Sequence, residues 1–472
     1  MAAASPRRSD AQRPHPERPP AQPAYVLRGH AAQVHAARFV RHNSRLLTGD
    51  ADGWVVLWDI ATKRAVAVWH AHEGAVLGFG TWGEDNIISH GRDFHLRVWQ
   101  LSPADESTFS TALPVDDTTA DRKQPWLLHS LKVNTLNFCS FAMCPEPPAS
   151  PDATSTSILI AVPSTKDDEV DIFQLPSERR VSSVPNLGRK TGMTMALSLL
   201  VCPSTPTPLH CISAYEGGAV AVHAFNTTAH TWTPIYTSQP HTQPILSLSP
   251  SPTPSQTLEF FTSGADDLIA KHTVPLSYPP PPSPSAPLTS STQPAPQPSS
   301  DAKPKSLLTA ALTSHPPHGS PALPPPQPNP APATPVKATH TKHSGQQSVT
   351  VRSDGRILAT AGWDGRVRVY SARSVREVAV LAWHKEGCYA VAFADVGAAE
   401  GGDEGEAGGL GDEEGTGGDG GSGDGGAVVR AGGGGRRVGR TTVRSRREDR
   451  VRAVHWLAAG SKDGKVSLWE VF

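Results

Sequence analysis

The chain has 472 residues, 37% hydrophobic and 18% charged, with a formal net charge of -1 and a pI near 7.1. That balance argues against a dedicated nucleic-acid binder, whose domain carries a strong basic excess. The 46 prolines and 41 glycines demand long unfolded stretches beside any packed core.

Residues 1–23, rich in Pro, Arg and Ala, are expected to be a disordered tail. They lack the apolar core of a signal peptide, and Asp10, Glu17 and the prolines argue against an amphipathic transit helix. Tyr25-Val26-Leu27 then reads as a short strand ahead of Gly29-His30. The next phrase, LLTGDADGWVVLWD at residues 46–59, is an apolar strand, a turn at Asp52-Gly53 and an alternating strand closing on Trp58-Asp59. The pairing of a turn Asp with an aromatic six residues later recurs at Asp93 and Trp99, Asp364 and Tyr370, and Asp463 and Trp469. Weaker copies stand at Asp167 and Phe173, Gly217 and His223, and Asp266 and His272. Seven copies of this pattern are the WD40 signature, and they predict an all-β, seven-bladed propeller over residues 24–472.

Four stretches fall outside the pattern and are expected to be disordered: 1–23, 102–124, 277–335 (Pro, Ser and Thr) and 397–449 (Gly with acidic residues, then Arg). Without them about 314 residues remain, about 45 for each of seven blades. The last repeat ends at Phe472 directly after its third strand. Tyr25-Val26-Leu27 is therefore expected to supply the missing outer strand and close the ring, removing an open edge. The inserts follow third strands (102–124, 277–335) or separate first from second strands (145–157, 203–208, 397–449). Both connections emerge on one rim of a propeller, so the opposite rim is short-looped and is the expected partner face. The alternative is that the inserts themselves dock.

In such repeats a His ahead of the blade, a Ser or Thr on the second strand, the turn Asp and the third-strand aromatic form a buried hydrogen-bonded set. Three sets are expected here: His30, Thr48, Asp52 and Trp58; His72, Ser89, Asp93 and Trp99; and His343, Thr360, Asp364 and Tyr370. In the final blade Ala459 occupies the hydroxyl position. The residue types are those of a hydrolase triad, but a triad occurs once per active site, whereas these recur in register with the fold. No other catalytic, cofactor-binding or metal-ligating pattern stands out. The glycine runs near 417–426 and 432–435 lack the Lys-Ser/Thr of a phosphate loop, and no histidines are spaced as metal pairs. The chain is thus expected to be a monomeric, non-enzymatic propeller without cofactor or metal.

Cys139, Cys144, Cys202, Cys211 and Cys388 form no CxxC pair, which suits a reducing compartment, and the longest apolar run, near residues 195–202, is too short to span a membrane. In the last insert an acidic block from Asp403 to Asp424 precedes a basic one from Arg430 to Arg450. The basic block reads as a nuclear-import signal or phosphate contact, or as half of a self-neutralising solvated loop.

KHSGQQSVTVRSDGRILATAGWDGRVRVYSAR at residues 342–373 resembles the ASTRA-associated protein 1 family, fungal WD-repeat proteins related to animal G-protein β-subunit-like proteins. The opening PAYVLRGHAAQVHAARFVRHNSRLLTGDADGWVVLWDIATKR, GRDFHLRVWQL of the second blade and LSLLVCPS of the fourth are similar to that family too. The resemblance implies a non-catalytic scaffold subunit of the ASTRA complex, an assembly of a PI3-kinase-like protein and its chaperone cofactors linked to chromatin remodelling. Nuclear and also cytoplasmic residence, protein partners, and no membrane or direct nucleic-acid contact are the corresponding expectations. Two other propeller roles fit less well. A G-protein β subunit needs an N-terminal heptad helix that residues 1–23 cannot form. A ubiquitin-ligase substrate receptor shows WDxR after its third strand, where this chain has Trp58-Asp59-Ile60-Ala61 and Tyr370-Ser371-Ala372-Arg373.

Overall fold

A computed structural model of the chain describes residues 21–116, 122–135, 139–147, 157–166, 168–202, 209–252, 256–276, 330–397, 447, 450–451 and 453–472. Their 28 strands form seven four-stranded antiparallel sheets. The first strand, β1 (Tyr25–Arg28), stands apart in sequence from its sheet. Blade 1 is β2 (Val34–Val40), β3 (Arg45–Asp50), β4 (Trp54–Asp59) and β5 (Arg64–His70). Blade 2 is β6 (Val76–Trp82), β7 (Asn86–Gly91), β8 (His95–Gln100) and β9 (Trp126–Lys132). Blade 3 is β10 (Ala142–Pro145), β11 (Ile158–Pro163), β12 (Val170–Leu175) and β13 (Arg179–Val184). Blade 4 is β14 (Thr194–Val201), β15 (Leu209–Tyr215), β16 (Val220–Asn226) and β17 (Thr231–Ser238). Blade 5 is β18 (Ile245–Pro250), β19 (Thr257–Gly264), β20 (Leu268–Pro275) and β21 (Lys337–His340). Blade 6 is β22 (Gln346–Val351), β23 (Ile357–Gly362), β24 (Arg366–Ser371) and β25 (Glu377–Ala382). Blade 7 is β26 (Cys388–Phe393), β27 (Trp456–Ser461) and β28 (Lys465–Glu470), completed by β1.

The chain is thus a seven-bladed propeller closed by its N-terminal strand. Tyr25 faces Leu468 and Arg28 faces Lys465, so β1 covers the edge of β28. Leu27 is buried in a cluster that joins Trp58 and Val56 of blade 1 to Trp456 and Leu468 of blade 7. A second cluster packs Leu47, Leu57 and Trp69 of blade 1 against Val76, Phe79 and Trp99 of blade 2. The core is therefore a ring of inter-blade seams, each made by apolar residues alternating along strands buried on both faces.

The stretch 102–124 departs from its expected disorder. Residues 102–116 are described and run back over blade 1 as a strap. Glu106, in a short 3-10 turn (Glu106–Thr108), is buried and receives hydrogen bonds from Arg41 and Arg45 of blade 1. The Ser110 carbonyl accepts from the Val68 amide on the outer strand β5, and the Val115 amide donates to the Gly29 carbonyl. Leu113 lies so close over Gly29 that an added Cβ would sit 2.8 Å from its methyl group and 2.9 Å from Trp58. Its Ser, Thr and Asp content reads as a loop, but two anchors, the buried Glu106 and the partly buried Leu113, hold it down.

Of the other inserts, residues 277–329 and most of 398–449 lie outside the described residues, as do residues 1–20 of the tail. The described end of the first runs along β17, where the Ala333 amide donates to the Thr237 carbonyl. Near the end of the second, Val451 is buried and its carbonyl accepts the Trp456 indole N–H.

Candidate functional site

The short-looped rim carries the turns between second and third strands and the loops that lead into each blade. Beneath it lie the hydrogen-bonded sets. In blade 1 the Trp58 indole donates to Thr48 Oγ1 at 2.8 Å, Thr48 Oγ1 lies 2.7 Å from His30 Nε2, and His30 Nδ1 lies 2.7 Å from Asp50 Oδ2. A carboxylate can only accept, so His30 donates to Asp50 from Nδ1.

Asp50, not Asp52, is the acid of this set. Asp52 is exposed, and its amide merely donates to Asp50 Oδ1. The reason is visible in blade 2, where Gly91 occupies the position of Asp50. A Cβ there would lie 2.1 Å from His72 Nδ1 and 2.7 Å from Asp93 Oδ1. Glycine leaves room for the turn Asp to reach the His; Asp50 fills that room with its own carboxylate. A residue other than Gly two places before the turn Asp was the available sequence signal.

Blade 2 joins all four expected residues: His72 Nδ1 to Asp93 Oδ1 at 2.9 Å, His72 Nε2 to Ser89 Oγ at 2.7 Å, and Trp99 Nε1 to Ser89 Oγ at 2.8 Å. Burial opposes ionisation of Asp93, but hydrogen bonds from His72 and from Arg97 at 2.6 Å outweigh it and hold the carboxyl well below the usual carboxylate range.

Blade 6 corrects a second expectation. His343 is turned outward, with its side chain 45% exposed and Nδ1 3.8 Å from Asp364 Oδ2. Gln346 takes its inner place and accepts from Thr360 Oγ1 at 2.9 Å, while Arg368 holds Asp364 with contacts of 3.1 and 2.6 Å. Tyr370 is fully buried. The outward turn of the loop passes through Lys342 and Gly345 at positive φ (64° and 79°), which delivers Gln346 rather than His343 to the interior.

Two further sets were not assembled from the sequence. In blade 5 His241 joins Asp266 and Thr262, both at 2.9 Å, and Thr262 meets His272 at 3.2 Å, with His272 standing where other blades place Trp. The Tyr236 hydroxyl satisfies the other nitrogen of His272 at 2.9 Å. In blade 7 the hydroxyl absent at Ala459 is supplied by Ser467, its cross-strand partner on β28. Ser467 Oγ lies 2.8 Å from both His384 Nε2 and Trp469 Nε1. These hydroxyls are fully buried and occupied by neighbours, so none is presented as a nucleophile. Among the described residues no group of His, Cys, Asp or Glu is placed to hold a metal ion.

Above the sets, at the mouth of the central channel, lies a cavity of about 570 Å³ lined by blades 6, 7, 1 and 2. Its walls include His35, Arg92, Gln347, Trp363 and Tyr389. His35 and Tyr389 stack with centroids 5.3 Å apart and planes 3° from parallel. Burial, with the nearby Arg92 charge adding to it against the pull of Asp50, keeps His35 below the ordinary imidazole range. Trp363, in the β23–β24 turn, is 47% exposed. Its indole donates to Gln347 Oε1 at 2.8 Å, and its ring closes over Gly345, where a Cβ would lie 2.1 Å from the ring. The KHSGQQ segment therefore does two jobs: Gln346 completes the buried set, and Gly345 with Gln347 fixes an exposed tryptophan on the rim.

The family described as WD domain, G-beta repeat matches residues 21–59, 335–371 and 440–470. Curated relatives named ASTRA-associated protein 1 align over nearly the whole chain. That of Verticillium alfalfae is 42% identical over 97% of this chain and 94% of its own length. That of Aspergillus niger is 40% identical over 98% of this chain and 100% of its own. The more distant relative of Schizosaccharomyces pombe is 27% identical over 79% of this chain and 93% of its own.

Proposed function

Because the chain belongs to the ASTRA-associated protein 1 family, we propose that it is a non-catalytic scaffold subunit of the ASTRA complex, docking a PI3-kinase-like protein and its chaperone cofactors. It acts in the nucleus, and also in the cytoplasm where such assemblies form. The observation that supports docking is the channel mouth: Trp363 and Tyr389 are held in place by Gln347, Gly345 and His35 on the rim opposite the one from which the long inserts emerge. Rigid aromatic anchors beside a cavity are what a protein-binding hot spot requires. The buried sets beneath supply rigidity, not chemistry.

The test is affinity purification of tagged protein from its native cells, as the wild type, as Trp363→Ala with Tyr389→Ala, and without residues 280–328 and 400–445. PI3-kinase-like and chaperone subunits are expected with the wild type and the trimmed chain, and are lost from the aromatic double variant. Cullin-ligase or G-protein components in their place would overturn the assignment. Loss from the trimmed chain alone would move docking to the inserts.

A further inference from the structure

The outer strands of a propeller are open edges, and this chain covers or blunts most of its own. The strap residue Ser110 pairs with β5, Ala333 pairs with β17, and β28 is capped by β1. Strand β13 opens on Arg179 and Arg180, β21 is four residues long with Lys337 at its start, and β25 exposes only valines and alanines beside Glu377. Charge and shortness are the usual protections of a free edge.

Strand β9 is seven residues long and carries its lysine only at its far end, Lys132. Its first three residues, Trp126, Leu127 and Leu128, are 72%, 43% and 38% exposed, and among the described residues β8 is the only strand with which it pairs. Exposed large apolar side chains on an outer edge mark an interaction surface.

The charges around the patch identify the occupant. Lys123 lies three residues ahead of Trp126, and Lys132 closes the strand; both are exposed. The neighbouring blade contributes Arg179 and Arg180, of which Arg180 is paired with Asp171. Glu178, an exposed acid of the neighbouring blade, is paired with His129 at 2.8 Å. A second copy of the chain pairing antiparallel on β9 would bring Lys132 of one copy toward Lys123 of the other, a like-charge juxtaposition. We infer that β9 is a docking edge for an extended segment of a partner protein, with an apolar centre flanked by acidic residues. The chain itself sets the precedent, since β5 and β17 are each covered by an extended stretch. This surface is separate from the channel mouth and does not depend on it.

The test uses the full chain and labelled peptides of about twelve residues, a Leu/Val/Phe centre flanked either by glutamates or by lysines, with binding read by fluorescence anisotropy. The glutamate-flanked peptide is expected to bind, with affinity falling about tenfold or more for Trp126→Ser with Leu128→Ser. Lys123→Glu with Lys132→Glu is expected to reverse the preference between the two peptides. Because all four side chains are exposed, the variants should keep the wild-type melting temperature. Equal binding of both peptides, or binding unaffected by the Ser variants, would overturn the inference. A concentration-dependent dimer in sedimentation, abolished by the Ser variants, would assign the edge to a second copy instead.

Discussion

Replacing Asp50 by alanine tests the internal logic of the blade most directly. The Asp50 carboxylate accepts from His30 Nδ1 at 2.7 Å and from the Trp54 amide at 3.0 Å, and both Asp50 and His30 are buried. Its removal takes the acceptor from these two buried donors and from the part-buried Asp52 amide, 3.1 Å from Oδ1. At about 1–3 kcal/mol for each buried unsatisfied group, the loss should be about 3–5 kcal/mol, the range seen when one partner of a buried pair is deleted. Asp52 lies two residues away with an exposed side chain, so Asp52→Ala should change stability by no more than about 0.5 kcal/mol. Urea unfolding of wild type and both variants, followed by tryptophan fluorescence, measures the difference. If Asp52→Ala costs as much as Asp50→Ala, or if Asp50→Ala is neutral, then the room vacated by glycine in the other blades is not what selects the acid.

Ser467→Ala removes the shared oxygen of His384 and Trp469 and should cost about 1–3 kcal/mol; adding Ala459→Ser, directly across the ladder, should recover part of that loss in the same unfolding assay. Deleting residues 1–22 should leave the thermal midpoint unchanged, whereas deleting 1–28 removes β1 and the buried Leu27, about 2 kcal/mol of apolar burial, and should lower it; equal melting curves would refute closure by this strand. Burial holds His90 near a pKa of about 3, His223 near about 4 and His272 near about 3, all below the unfolded value of about 6.5. The unfolded state therefore binds more protons below pH 6.5, so the stability these three contribute is complete above that pH and is lost as pH falls, at about 1.4 kcal/mol per pH unit for each histidine once the unfolded chain is protonated. Unfolding midpoints at pH 7, 6 and 5 should drop steeply, and His223→Leu should lessen the slope by about one histidine's share.

Blade count and ring closure were legible in the sequence because both rest on local pattern. The turn, the alternation of the third strand and the Asp-to-aromatic spacing are written within one hairpin, and a final blade lacking a strand leaves the Tyr25-Val26-Leu27 segment to complete it. The sequence also placed the four residues of the second blade's set, where Gly91 leaves the ordinary geometry open. What spacing could not decide is which polar atoms meet. That depends on cross-strand register, which brings Ser467 opposite Ala459, on the space beside a strand end, which admits Asp50 and displaces Asp52, and on the path of a loop, which turns His343 outward and Gln346 inward. Nor does composition reveal that residues 102–116 are anchored, since the partners of Glu106 and Leu113 lie on other strands, at Arg41, Arg45 and Gly29. The channel mouth gathers His35, Arg92, Trp363 and Tyr389 from four blades, and only the closed ring brings residues so distant in sequence to one cavity.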